Sequence, residues 1–318
     1  MTIPLIETKH LKKYFKTPQG DLHAVDDINI KINNGNSLGV VGESGCGKST
    51  LGRTVLRLLE PTEGQVLYNG DNIMLYDKGK MRDMRKSMQI IFQDPYASLN
   101  PRLTLSEIIS EPLVVNKIYK NRNQVTGRVK ELMDKVGLSQ RLINSYPHEL
   151  DGGRRQRIGV ARALALKPKF IVCDEPVSAL DVSIQAQILN LMQDLQEEKK
   201  IAYMFITHDL SVVRHMSDEI IVMYLGVVVE KCLAEKLFKR QFHPYTKALL
   251  SAIPNPDIDV KKNRIILKDE IASPIDPGLE CRFAARCNYA TEKCFKETPY
   301  LRSIEDYHFV ACHYAESL

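Results

Sequence analysis

The chain has 318 residues, 44% of them hydrophobic and 26% charged, with a formal net charge of +5. This composition supports one large folded domain or two, with a sizeable core, and excludes a disordered chain. The charge excess contains no block of five or six like charges. Lys12-Lys13 and Lys261-Lys262 read as solvated surface, and no nucleic-acid partner is expected.

The N-terminal stretch lacks the basic start, long apolar segment and small-residue cleavage site of a secretory leader. The longest nearly apolar run, Ile220 to Val229, is about half of the roughly 20 residues that span a bilayer. The expected location is cytosolic, or peripheral on the cytosolic face of a membrane.

From Leu5 to Ile32, apolar-polar alternation predicts strands interrupted at Thr17-Pro-Gln-Gly20. The apolar run Leu38-Gly-Val-Val41 predicts another strand and leads directly into Gly42-Glu-Ser-Gly-Cys-Gly-Lys48-Ser49. Glycines at this spacing let several backbone N–H groups converge on an anion, and the following helix adds its positive N-terminal end. Gly42, Ser44, Gly45, Cys46, Gly47, Lys48, Ser49 and Thr50 are therefore the candidate nucleotide-binding residues. Lys48 reaches the β- and γ-phosphates, and the Ser49 hydroxyl ligates Mg²⁺. Cys46, near the helix N-terminus, is a candidate for a lowered pKa or simply a tolerated small residue.

Leu51, Val55, Leu58 and Leu59 recur at helical spacing until Pro61-Thr-Glu-Gly64. Met88 to Gln93 predicts a buried strand ending at Asp94-Pro95, and Leu103 to Leu166 an inserted helical subdomain. Phe170-Ile-Val-Cys-Asp174-Glu175 predicts a short buried strand with two acids at its C-terminal end, where α/β sheets place ligand sites. Asp174 would hold Mg²⁺ and Glu175 would polarise the water attacking the γ-phosphate. Ile184, Ile188, Leu191, Met192 and Leu195 mark one helix face, and Ile201 to Ile206 a further buried strand ending at Thr207-His208. His208 would contact the γ-phosphate or that water; the alternative is a structural histidine at a strand end. Asp218 to Glu230 adds two strands around Gly226, and past His243-Pro-Tyr-Thr246 prolines gather from Pro254 to Pro277.

Cys46, Cys173 and Cys232 are scattered, whereas Cys281, Cys287, Cys294 and Cys312 lie together near the C-terminus. In a reducing compartment such a cluster reads as metal-binding before it reads as disulfides. The spacings are not the C-x-x-C pairs of a zinc ribbon. Four thiolates can ligate a [4Fe–4S] cluster, with Zn²⁺ and free thiols as alternatives.

Taken in order, these motifs resemble the ATP-binding cassette (ABC) family of ATPases over about the first 250 residues. Beyond the phosphate loop, the matching positions are Gln93 after a strand, the signature Leu150-Asp151-Gly152-Gly153-Arg154, Asp174-Glu175, the D-loop ending at Asp181, and His208. The resemblance implies that Gln93 senses Mg²⁺ and the γ-phosphate, so that Ser49, Gln93 and Asp174 form the Mg²⁺ set. It further implies that Tyr14, or Phe15 in its place, stacks on adenine. Two such domains meet head to tail, each signature closing the other's ATP, so a second ABC ATPase subunit is expected, in a heterodimer or a homodimer.

The family signature usually has serine and glutamine where this chain has Asp151 and Arg154. An ionised Asp151 would face the partner's γ-phosphate with like charge. The expectation is asymmetry in a heterodimer, with slow hydrolysis in the partner's loop; the alternative is that Asp151 and Arg154 form a harmless local pair.

Pro147-His148-Glu149, Ser178 to Gln185 and His243 to Leu250 narrow the resemblance to ATPase subunits of dipeptide and oligopeptide importers, a group that includes nickel importers. The four late cysteines are similar to the cysteine-rich extension of some members. The resemblance implies two membrane permeases, with a coupling helix docking near Tyr96 to Leu103, and an extracellular or periplasmic solute-binding protein. A soluble ABC ATPase outside transport is the alternative from a different class.

The expected fold is α/β: an ABC-type P-loop ATPase core with a mixed, largely parallel sheet, an inserted helical subdomain and a small metal-binding C-terminal extension. The expected boundaries are 1–94 and 167–252 for the core, 95–166 for the helical subdomain with the signature, and 253–318 for the extension.

Overall fold

The computed structural model of the chain describes residues 3–94, 96–253, 264–268 and 273–317. Pro95, Pro254 and the Lys261-Lys262 pair lie outside the described residues. In chain order the elements begin with β1 (Ile6–Thr17), β2 (Gly20–Ile28), β3 (Lys31–Ile32), β4 (Ser37–Val41) and α1 (Lys48–Val55). β5 (Glu63–Tyr68), β6 (Asp71–Asn72), α2 (Lys78–Met84) and β7 (Met88–Ile91) follow, then α3 (Leu105–Val115), α4 (Arg122–Lys135) and α5 (Gly152–Leu164). β8 (Phe170–Asp174), α6 (Val182–Lys199), β9 (Ala202–Ile206) and α7 (Leu210–Met216) continue the alternation of strand and helix. The chain ends with β10 (Glu219–Tyr224), β11 (Val227–Leu233), α8 (Ala234–Lys239), α9 (Pro244–Ser251), β12 (Arg302–Glu305) and β13 (His308–Val310).

The chain divides into two compact units. The first comprises the described residues up to Asn33, Ser37–Leu75, and those from Phe205 onward; the second comprises Asn34–Asn36 and Tyr76–Met204.

In the first unit β1 is the antiparallel partner of β2, β3 and β5. A second sheet there runs β12-β13-β11-β10-β4. Every residue of β4 is buried, as its apolar sequence requires of a strand covered on both faces. β4 pairs in parallel with β10, while β10–β11, β11–β13 and β12–β13 are antiparallel. Parallel and antiparallel pairs thus mix in this sheet, in line with the mixed sheet expected from the sequence. The C-terminal extension adds two strands to a sheet edge, because the short β13 satisfies the outer hydrogen-bonding groups of β11.

α1 is shorter than its leucine spacing predicts. It stops at Val55, and Arg57 takes a φ of 51°, so Leu58 and Leu59 fall in the turn that follows. A second feature absent from the sequence pattern is the fully buried Glu230 on β11. Its carboxylate accepts from the N–H groups of Phe242 (2.9 Å) and His243 (3.1 Å), and Nε2 of the buried His308 lies 2.7 Å away. One carboxylate thereby joins β11, the start of α9 and β13. Burial keeps His243 neutral, with its pKa pushed down to about 4, so its Nδ1 can accept from Tyr245 N–H and cap α9.

The second unit places β7 parallel to β8, in the order β9-β8-β7. Within the stretch read as helical from Leu103 to Leu166, Leu105, Ile108, Ile109, Val129, Leu132, Met133 and Ile158 are buried on α3, α4 and α5. Full burial of each such side chain stabilises by roughly 1.5–3 kcal/mol. Thr104 and Glu107 form a capping box that starts α3.

Candidate nucleotide site

In the first unit the phosphate loop is fixed by what surrounds it. Gly42 has φ 155°, and a Cβ there would lie 2.2 Å from the Met223 carbonyl oxygen; Gly47, with φ 103°, would bring one to 1.9 Å from that of Ala24. Only glycine fits these two approaches. Lys48 is 5% exposed, and its Nζ donates to the carbonyls of Gly42 and Glu43, both at 2.8 Å. The ammonium is thus seated inside the loop, at the start of a helix whose first N–H groups have no intrahelical partners. Ser44 and Gly45 are exposed, Ser49 and Thr50 half-buried. Burial raises the Cys46 thiol pKa, against the lowered value a helix N-terminus suggested, because desolvation outweighs the attraction of Lys48.

Tyr14 lies on β1 opposite His23 of β2 and stacks on it, with ring centroids 3.7 Å apart and planes at 17°. Its hydroxyl donates to Asp26 at 2.5 Å. Phe15 points to the other face of the strand, with the Lys13 ammonium 5.0 Å from its ring. His208 is exposed directly after β9, and the preceding Thr207 N–H donates to Val40 of β4.

The second unit brings together a different group. Asp174, 2% exposed, ends β8. The next residue, Glu175, adopts φ 47°, and its carbonyl accepts from Ser178 Oγ at 3.1 Å. Its carboxylate accepts from Gln93 Nε2 at 2.9 Å. Gln93 reaches it because β7 ends at Ile91, two residues before it and earlier than the strand predicted to Gln93.

The signature opens α5. Asp151 is its N-cap, Oδ1 accepting from Arg154 N–H at 2.8 Å, while Arg154 Nε lies 3.5 Å from the other carboxylate oxygen. The two unusual residues form a local pair. Leu150 and Gly153 are buried beside them, and Gly152 is half-buried. Asp181 is exposed at the N-cap of α6, and Gln185 ties the segment before it by donating to Val177 and Leu180 carbonyls. Arg155 escaped the sequence reading: it is 5% exposed, donates to the Pro147 carbonyl at 2.6 Å, and stacks its guanidinium 3.6 Å from the Tyr96 ring centroid.

Cys281, Cys287, Cys294 and Cys312 line one small cavity of about 20 Å³, with His243 and Phe283. Burial raises the Cys281 thiol pKa to about 12 and pushes those of Cys287 and Cys312 upward. Among the described residues no group of three or more His, Cys, Asp and Glu side chains is arranged to hold a metal ion. The metal-binding role expected of the extension is therefore not shown by the arrangement of its described side chains.

A glycine loop gripping a lysine at a helix start defines a P-loop nucleotide-binding protein. The chain matches the ABC transporter family over residues 25–178 and the oligopeptide/dipeptide transporter C-terminal region over residues 229–294. It is 50% identical over 318 residues to the oligopeptide transport ATP-binding protein OppF of Bacillus subtilis (strain 168), covering 99% of this chain and 98% of that protein. It is 47% identical over 309 residues to a putative peptide import ATP-binding protein of Brucella ovis, covering 97% of each. The dimeric post-hydrolysis ABC cassette MJ0796 bound to ADP and Pi superposes with a TM-score of 0.67 at 29% identity, over 72% of this chain and 98% of that one. The chain belongs to the ATP-binding subunits of ABC transporters, in the oligopeptide/dipeptide group, and is an ATPase.

Proposed function

We propose that this subunit powers import of dipeptides or oligopeptides through a membrane ABC transporter. It sits on the cytoplasmic face, paired head to tail with a second ATPase subunit and docked on two permeases. The observation that carries the reading is the seating of Lys48 in the glycine loop at the start of α1, in a chain of this family. No helix among the described residues is long and apolar enough to cross a membrane.

Lys48 and the N–H groups of Gly45 to Thr50 bind the triphosphate, and Tyr14, half-buried and stacked on His23, stacks on adenine. Glu175 takes the proton of the attacking water, and His208 holds the γ-phosphate. Ser49, Gln93 and Asp174 are hard oxygen donors of the kind Mg²⁺ takes and would hold it. Bound Mg²⁺ neutralises charge on the β- and γ-phosphates. Leu150 to Arg154 and Asp181 act on the partner's ATP, and the Asp151–Arg154 pairing supports a signature without excess negative charge. Tyr96, held by Arg155, lies in the segment proposed to meet the permease.

Convergence of four cysteines on one cavity supports a [4Fe–4S] cluster held by Cys281, Cys287, Cys294 and Cys312, with Zn²⁺ as the alternative. Such a group would cross-link a tail of low apolar content. Anaerobic purification should yield iron, sulfide and visible absorption; zinc in their place selects the alternative, and none of the three rejects both.

The function is tested by Mg-ATP hydrolysis of the chain alone and mixed with its partner ATPase, followed by ATP-dependent peptide uptake in vesicles carrying the permeases. Uptake lost with Glu175→Gln is the expected result. Hydrolysis without any peptide uptake overturns the transport reading.

A further inference from the structure

Within the first unit, the cysteine-bounded segment Cys281–Cys287 carries two arginines, one bonded to the phosphate-loop residue Glu43 and the other to Asp26, the partner of the Tyr14 hydroxyl. Arg286, 8% exposed, forks onto the phosphate-loop residue Glu43, with Nη1 2.7 Å from Oε2 and Nη2 3.2 Å from Oε1. Every polar group of Glu43 is engaged: its N–H donates to the Tyr245 hydroxyl at 2.8 Å, and its carbonyl accepts from Lys48 Nζ. Arg282 bonds through one nitrogen to Asp26 and through another to the Leu225 carbonyl. Asp26 in turn accepts from the Tyr14 hydroxyl, and its second oxygen lies 3.1 Å from His23 Nδ1. Phe283, between the arginines, is buried edge-on against Tyr224.

The geometry points to a nucleotide-positioning clamp built from the C-terminal extension: Arg286 sets the phosphate loop through Glu43, and Arg282 sets the adenine-stacking ring through Asp26 and Tyr14. The physical need is clear at Glu43. An unpaired carboxylate in the phosphate loop would repel the triphosphate, and Arg286 both neutralises it and draws it toward the extension. Bidentate geometry also fixes the carbonyl on which Lys48 rests. Arg282 acts one step further out. By holding Asp26 it fixes the plane of the Tyr14–His23 pair, so it bears on the base and leaves the phosphates alone. Both are positioning residues, and the assignment rests on the ATPase reading above.

The test uses the full-length chain with its partner ATPase, reading Mg-ATP and inorganic triphosphate binding by displacement of a fluorescent ATP analogue. Arg286→Met is expected to weaken both ligands about tenfold. Adding Glu43→Gln to Arg286→Met should restore both to within about threefold, since the carboxylate that Arg286 controls is then gone. Arg282→Met is expected to weaken ATP by a similar factor and leave triphosphate unchanged. In steady state both single variants should raise KM with little change in kcat. Wild-type affinity in Arg286→Met, or a loss that Glu43→Gln does not rescue, overturns the clamp at the phosphate loop. Equal losses of ATP and triphosphate in Arg282→Met overturn it at the base. A wild-type chain that fails to bind Mg-ATP overturns the ATPase reading itself.

Discussion

Gln93 Nε2 donates to the carboxylate of Glu175 at 2.9 Å, joining the residue after β7 to the residue after β8. Glu175 holds this position with φ 47°, a left-handed conformation that disfavours a side chain by roughly 1–2 kcal/mol. The turn closed by Ser178 keeps it there.

Glu175→Gln keeps the shape of the side chain and its contact with Gln93 but removes the base. We expect kcat to fall by about 100-fold or more while ATP affinity stays within about threefold. Single-turnover hydrolysis and equilibrium binding separate the two effects. Undiminished turnover would remove Glu175 from the proposed chemistry.

Gly47→Ala places a methyl group 1.9 Å from the Ala24 carbonyl oxygen at φ 103°. The loop must shift, at a cost of about 2 kcal/mol or more. The expected result is loss of ATP-analogue binding with a lower Tm; unchanged binding would show that the loop tolerates the shift.

Asp151 acts locally as the cap of α5, so serine, which caps by the same bond, should replace it. Asp151→Ser is expected to leave stability within about 0.5 kcal/mol, and Asp151→Ala to cost about 1 kcal/mol. Single-turnover rates at the two sites of the mixed dimer should change by less than about threefold in Asp151→Ser. A large acceleration confined to the partner's loop would instead restore the asymmetric mechanism.

Glu230 supplies a pH dependence. Burial disfavours its charge, but His308 and the N–H groups of Phe242 and His243 outweigh that, and its pKa is lowered. Because the folded-state pKa lies below the unfolded value of about 4.3, the unfolded chain takes up the proton first. The stabilisation is complete above that value and is lost as pH falls through the folded-state pKa. Glu230→Gln should cost about 3 kcal/mol at pH 7 and flatten the acid limb of a stability-against-pH curve. Parallel acid limbs for the two proteins would assign the titration to other groups.

The nucleotide chemistry was legible in the sequence because it is local. The spacing from Gly42 to Ser49 is a property of consecutive backbone units, and the run from Phe170 to Glu175 carries its acids at a strand end by the same short-range logic. The Leu58 and Leu59 spacing misled for the converse reason: apolar periodicity continues where Arg57 has already turned the backbone.

The sequence by itself determined the phosphate loop and the acid-ended strand β8, each a run of neighbouring residues where backbone geometry allows few arrangements, and the family, through the order of such local motifs along the chain. Tertiary structure alone decided that Arg286 reaches Glu43 across 243 positions of sequence, that Arg282 reaches Asp26 across 256, and that four cysteines meet on one cavity. Such contacts follow from how β10, β11 and α9 pack against the extension, and no local periodicity encodes the partner of a charged side chain so distant in sequence.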